Sequence, residues 1–257
     1  MTKPGALVVT AALIIIGDEI LSGRTADLNL RYIAERLNSL GVRLAEARVV
    51  ADKQDAIVAA VNECRAAYDY VMTTGGIGPT HDDITAAAIA KAFGRPLIRN
   101  PEIVAILEDA YRGSDMELNE ARLSMADTPE GAILIDNPVS GAPGWQIENV
   151  FVFAGVPKIM QAMFESMTHR LTGGEPLRER SIVVDIGEGT LAAALSDIQD
   201  RHPALSIGSY PYYRGGAFGV KLVLRGTDDA ELDTAAEEIV AALQDLGGNP
   251  RIEDPES

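Results

Sequence analysis

Short apolar runs alternate with helix-patterned stretches through the first two thirds of this chain, and that alternation restricts the fold more than any other feature. Ala11-Ala12-Leu13-Ile14-Ile15-Ile16 contains no polar residue, so as a strand it must be covered on both faces. The run reaches back toward Leu7 and stops at Gly17-Asp18-Glu19, far short of the ~20 apolar residues a membrane span needs. An acidic pair follows it, where a signal peptide would carry a small-residue cleavage site. Asp27 is placed to cap a helix bearing Leu30, Ile33, Ala34, Leu37 and Leu40, ended by Gly41. Residues 42–50 read as a strand. Asp52, with Asp55 three residues on, is expected to open a second helix with Ile57, Val58 and Val61 inward. A strand over 68–73 and a helix over 84–93, stopped by Gly94, continue the series. The expectation is an α/β fold with right-handed crossovers and a mostly parallel sheet with helices on both faces.

The middle is less regular. Helices are expected over 101–111 and 119–125, short strands over 132–136 and 149–153, and a Pro/Gly loop over 137–144 between those strands. Val156-Pro157 then opens a helix running to about Leu171, with proline in its first turn. Thr172-Gly173-Gly174-Glu175-Pro176 is the best linker candidate. It divides a first domain, 1–173, from a small α+β domain, 177–250, with helices on one sheet face. In that second domain the strand over 217–224 is expected to be an exposed edge that needs cover, and a twofold partner is one solution.

Charge narrows the partners. The 257 residues include 22 Lys+Arg and 38 Asp+Glu, a net charge of −16. Such a field repels nucleic acid and anionic membrane surfaces, yet a small phosphorylated ligand can still be held by backbone amides and a bound cation. Cys64 is the single cysteine, on a helical apolar pattern, so no internal disulfide forms and a reducing, cytoplasmic setting is expected.

Two loops stand out, each directly after a core strand. Thr73-Thr74-Gly75-Gly76-Ile77-Gly78-Pro79-Thr80-His81-Asp82-Asp83-Ile84-Thr85 joins a strand to a helix, at the sheet end where α/β proteins bind ligands. Its glycines let backbone amides approach an anion. It lacks the Gly-Lys-Ser/Thr of a P-loop and the third glycine of the dinucleotide fingerprint. A tight turn with Asp82 or Asp83 as helix cap is the plain alternative. The other loop, Gly17-Asp18-Glu19-Ile20-Leu21-Ser22-Gly23, offers adjacent carboxylates suited to a hard cation such as Mg²⁺, or to capping a short helix.

These motifs carry a resemblance. Gly17-Asp18-Glu19 with Ser22-Gly23, and Thr74-Gly75-Gly76-x-Gly78 with Asp82-Asp83-x-Thr85, resemble the MoaB/Mog molybdopterin-binding fold. Gly78-Pro79-Thr80-x-Asp82-Asp83 and Gly155-Val156-Pro157 are similar to its branch formed by the N-terminal domain of the competence/damage-inducible protein CinA. The stretch from Asn137 to Gly144 fits that branch and the molybdopterin-binding-like domain of FAD synthases. Ile207-Gly208-Ser209-Tyr210-Pro211 resembles the segment that follows this domain in FAD synthases.

The resemblance implies a divided function. One reading is metal-dependent binding and cleavage of a pyrophosphate-containing, nucleotide-like molecule of ADP-ribose or FAD type. The other is a molybdopterin-binding protein without hydrolytic activity. On the first, Asp82 and Asp83 are the catalytic candidates, deprotonating a water. Asp18, Glu19 and Asp83 would hold Mg²⁺. Gly17, Ser22, Asn29, Thr74, Gly75, Gly76, Gly78, Thr80, Thr85 and Gly155 would contact the ligand. The chain departs from the CinA pattern at Ile159, where many relatives carry Glu, and at His81. Relatives are often oligomeric, so a homo-oligomer is expected.

Overall fold

The computed structural model describes residues 8–113, 116–214 and 217–253, and the expected strand start at Leu7 lies outside them. The first compact unit ends at Gly174. In chain order it contains β1 (Val9–Ile16), α1 (Asp18–Leu21), α2 (Asn29–Ser39), β2 (Val42–Val50), α3 (Gln54–Ala67), β3 (Tyr70–Thr74) and α4 (Thr85–Phe93). β4 (Leu97–Arg99), α5 (Pro101–Tyr111), α6 (Glu120–Leu123), β5 (Asp127–Pro129), β6 (Ile133–Ile135), β7 (Gly144–Ile147), β8 (Val150–Phe153) and α7 (Pro157–Met167) follow.

Six strands form the main sheet in the order β2-β1-β3-β8-β7-β6. The pairings among β2, β1, β3 and β8 are parallel, whereas β8-β7 and β7-β6 are antiparallel. The sheet is mostly parallel, as expected, with an antiparallel flank that the apolar runs do not reveal. β1 lies between β2 and β3, which explains its unbroken apolar run. Leu13 and Ile15 pack with Ile33 and Leu37 of α2 and Phe164 of α7 on one face. Ala12, Ile14 and Ile16 pack with Ile57 and Val61 of α3 and Ile89 of α4 on the other. β2, at the edge, alternates half-buried and exposed residues after the buried Val42 instead.

Helix ends follow local chemistry. The Leu30 amide donates to Asp27 Oδ1 at 2.8 Å, so Asp27 caps α2 as expected. Asn100 caps α5 through the amides of Glu102 and Ile103, with Pro101 in the first turn. The two-stranded β4-β5 ribbon was not anticipated; three-residue strands carry too little periodicity to be read.

The second unit, from Glu175, contains β9 (Arg178–Val184), α8 (Glu188–Arg201), β10 (Ser206–Arg214), β11 (Ala217–Gly226), α9 (Asp229–Asp245) and β12 (Arg251–Glu253). Its sheet runs β10-β11-β9-β12, all antiparallel. The expectation that β11 is an exposed edge is corrected: β10 and β9 flank it, because the β10–β11 hairpin and the return to β9 occupy both its sides. β10 and the short β12 are the two edges, and β10 carries Pro211, a residue that discourages further pairing. Ile182, Val184, Leu222 and Leu224 meet Leu191 and Ile198 of α8 and Leu232 and Ile239 of α9 in one core. Asp228 caps α9 by accepting from Ala230 and Glu231 amides.

Candidate functional site

β1, β3 and β8 are parallel neighbours whose carboxyl ends are level, since Ile15 pairs Thr74 and Thr74 pairs Phe153. The chain leaves β1 for β2 on one side, and β3 lies on the other, so the strand order reverses here and opens a crevice. A cavity of about 590 Å³ occupies it.

The glycine loop forms one wall. Gly75 has φ +100, and a Cβ there would lie 2.2 Å from the Ile16 carbonyl oxygen. Gly76 has φ +68, and its Cβ would lie 2.2 Å from Thr85 Oγ1. Both therefore need glycine for conformation and for space. Thr85 is fully buried; its hydroxyl donates to the Gly75 carbonyl and its amide to the Gly76 carbonyl. Thr85 thus holds the loop closed and has no surface left for a ligand. Gly155 backs the loop, with its Cβ position 3.3 Å from Gly75 Cα. Neither α4 nor α7 has a side-chain cap at its N-terminus. The cavity wall includes Asp83, two residues before α4, and Val156 and Pro157, where α7 begins. Two positive helix ends therefore face the crevice region.

Four carboxylates, Glu19, Asp52, Asp82 and Asp83, line the cavity, and no Lys, Arg or His does among the described residues. Asp52 was expected to open α3. The residue before that helix is instead Lys53, which makes no side-chain cap, while the Asp18 amide donates to Asp52 Oδ2 at 2.8 Å. Ile16 pairs with Val50, so Asp18 and Asp52 each stand two residues past adjacent strand ends, and the register brings them together. Burial pushes the Asp52 carboxyl above the ordinary aspartate range; the Asp18 hydrogen bond opposes the rise, and the charges of Asp18, Glu19 and Asp82 add to it. Asp83 Oδ2 accepts from the Thr80 amide and hydroxyl, which braces the loop.

The opposite wall is apolar, with Met125, Pro143, Ile159 and Met163. Asn137, 6% exposed, shapes it: its Nδ2 donates to Ser140 Oγ and the Ala142 carbonyl, and its Oδ1 accepts from the Val139 and Ser140 amides. Trp145 is buried in the core rather than at the cavity.

Of the expected site residues, Gly17, Glu19, Gly75, Gly76, Gly78, Asp82, Asp83 and Gly155 line the main cavity. Asn29 and Thr74 line a small adjoining cavity of about 70 Å³ with Glu19 and Gly155. Asn29 Nδ2 donates to the Gly155 carbonyl at 2.9 Å, and its buried Oδ1 has no hydrogen-bond partner among the described residues. Ser22 and Thr80 are exposed and spend their hydroxyls on Glu19 and Asp83; Asp18 contributes its amide to the site and its side chain is exposed. Among the described residues no three His, Cys, Asp or Glu side chains converge at metal-binding distance. Sequence reasoning missed Asp52, Thr25 and Asn137. Asp52 had a signal as an acid just past a strand end, and Asn137 opened the stretch that carried part of the resemblance without being read as a site residue.

Residues 12–173 match the family described as "Probable molybdopterin binding domain", and residues 176–247 match "FAD synthase, middle domain". A crystal structure of the protein CinA, of unknown function, from Thermoplasma acidophilum is similar at 34% identity and a TM-score of 0.59, over 63% of this chain and 98% of that one. A protein of Metallosphaera sedula is 30% identical over 97% of this chain and 100% of its own length. A probable FAD synthase of Caenorhabditis briggsae is 31% identical over 92% of this chain and 49% of its own length, so the chain spans about half of that relative. Among the described residues no helix is long and apolar enough to cross a membrane.

Proposed function

The chain belongs to the molybdopterin-binding domain family, and from that premise we propose that its first unit binds a pyrophosphate-containing, nucleotide-like molecule together with a divalent cation and hydrolyses the pyrophosphate. One observation carries the reading: the cavity joins glycine-loop amides and helix N-termini, which suit an anion, to four carboxylates and, among the described residues, no cationic side chain. A phosphate entering such a wall needs a countercharge. The all-oxygen donor set fits Mg²⁺, which is commonly held by one or two carboxylates plus substrate phosphates rather than by a closed protein cage. The unpartnered Asn29 Oδ1 and the repelling charges around Asp52 fit the same demand.

Glu19 and Asp82 are the residues that would hold the cation, with Asp83 keeping the loop in place through Thr80. When bound, the cation neutralises phosphate charge. Amides of Gly75 to Gly78 orient the phosphate oxygens. Asp52, made more basic by burial, takes a proton from the attacking water. The water oxygen forms a new bond to phosphorus, the bridging P–O bond breaks, and the departing phosphate leaves with that electron pair. Met125, Pro143, Ile159 and Met163 receive the ring system. A homo-oligomer belongs to the same proposal.

Incubation with ADP-ribose, FAD and NAD plus Mg²⁺, read as released mononucleotide, tests this. Release from at least one supports it; no release from any, with tight pterin binding by fluorescence, favours the second reading, a molybdopterin-binding protein without hydrolysis. That second reading draws on the absence of a converged carboxylate trio among the described residues.

A further inference from the structure

α8 and α9 cover one face of the second unit's sheet, and the other face bears a cavity of its own. Tyr210 pairs with Lys221, Lys221 with Val183, and Val183 with Arg251, so these four form one row across β10, β11, β9 and β12. Strand alternation points the row away from the helices, because the flanking Ile182, Val184, Val220 and Leu222 are in the helix-packed core. Tyr212, two residues along, shares the row's face. With Glu253 these residues line a cavity of about 300 Å³, at the lower end of small-molecule sites.

Two glycines shape that cavity. A Cβ on Gly208 would lie 2.9 Å from the Tyr210 ring, and one on Gly219 would lie 2.5 Å from the Tyr212 ring. Each ring therefore lies down on bare backbone, Tyr210 along its own strand and Tyr212 across to β11. The Lys221–Val183–Arg251 row lies beside them, with Val183 buried at the cavity floor. Charge adds the second half of the argument. Lys221 Nζ is 3.4 Å from a Glu253 carboxylate oxygen, whereas Arg251 makes no ion pair among the described residues. In a chain of net charge −16, an exposed arginine that no carboxylate among the described residues takes up is positioned for an anion from outside.

We propose that this face binds a small aromatic phosphate of about mononucleotide size. Arg251 takes the phosphate through its planar fork and Lys221 adds a second positive charge. The aromatic ring stacks against the tyrosines over Val183. A nucleic-acid strand is disfavoured by the net charge.

The test uses the full chain and three probes: adenosine 5′-monophosphate, flavin mononucleotide and phenyl phosphate. NMR amide shifts separate this face from the glycine loop of the first unit. At least one probe is expected to shift Tyr210, Lys221 and Arg251, and Arg251→Gln is expected to weaken that binding at least tenfold. Inorganic phosphate alone is expected to bind at least tenfold more weakly than the best probe. Arg251 is exposed on a short edge strand, and circular dichroism checks that the variant keeps its fold. No shift on this face with any probe overturns the proposal, as does binding that Arg251→Gln leaves unchanged. A concentration-dependent dimer that Tyr212→Asp dissociates overturns it too, since a second copy would then be the occupant.

Discussion

The Asp18 amide donates to the Asp52 carboxylate at 2.8 Å across 34 residues of chain, a contact fixed by the pairing of Ile16 with Val50. It leaves Asp52 half-buried among like charges, with its carboxyl above the ordinary range. Such a group binds its proton more tightly folded than unfolded, so stability is greatest below the unfolded-state value and falls as pH rises through the folded one. Asp52→Asn keeps an acceptor for the Asp18 amide and removes the charge. The variant is expected to melt higher than wild type at pH 7, with the difference shrinking toward pH 3, in thermal scans across that range. Turnover is expected to fall by about 100-fold or more, the scale of a lost general base. A variant as active as wild type removes Asp52 from the mechanism.

Gly76 and Gly94 make a matched pair for separating conformation from space. Both have positive φ, but a Cβ on Gly94 meets nothing within 4 Å while one on Gly76 strikes Thr85. Gly94→Ala is expected to cost about 1 kcal/mol, the left-handed penalty alone. Gly76→Ala adds the displacement of the Thr85 hydrogen bonds and is expected to cost about 3 kcal/mol or more. Urea unfolding of the two variants measures the difference; equal losses would mean that Thr85 yields freely.

Tyr32 on α2 donates to Glu165 Oε1 on α7 at 2.6 Å, and Arg36 pairs with the same carboxylate. Burial, then the Glu165 hydrogen bond and charge, pushes the Tyr32 hydroxyl up to about 12. Its contribution is complete below the model-peptide value near 10 and is lost as pH rises from there toward 12. Tyr32→Phe is expected to lose stability at neutral pH and to show a shallower decline between pH 10 and 12. Thermal melts across that interval check it, and parallel curves for the two proteins would contradict it.

A chain ending at Gly174 is expected to fold and to keep phosphate-ligand binding. The Gly174 amide already bonds to the Gly41 carbonyl at 2.9 Å, and the Thermoplasma acidophilum relative is matched over 98% of its length by 63% of this chain. A ligand titration beside light scattering measures binding and assembly together. A folded fragment that binds no ligand would show that residues after Gly174 contribute to the pocket.

The sequence by itself determined the elements whose signal is local. An unbroken apolar run made β1 central, Asp27 marked a helix start, and glycine with acid after a strand marked both loops of the crevice. The family resemblance was legible for the same reason, because its motifs are short and ordered along the chain. Tertiary structure alone decided which of those residues share a space. Asp52 reads as a helix opener until β1 and β2 align in register, and Thr85 reads as a ligand contact until its hydroxyl is seen closing the Gly75 turn. The second unit's tyrosine–arginine row exists only because four strands separated in sequence pair side by side. Local preference acts over a few residues, whereas register and packing join residues dozens apart, and sites are built from the second kind of neighbour.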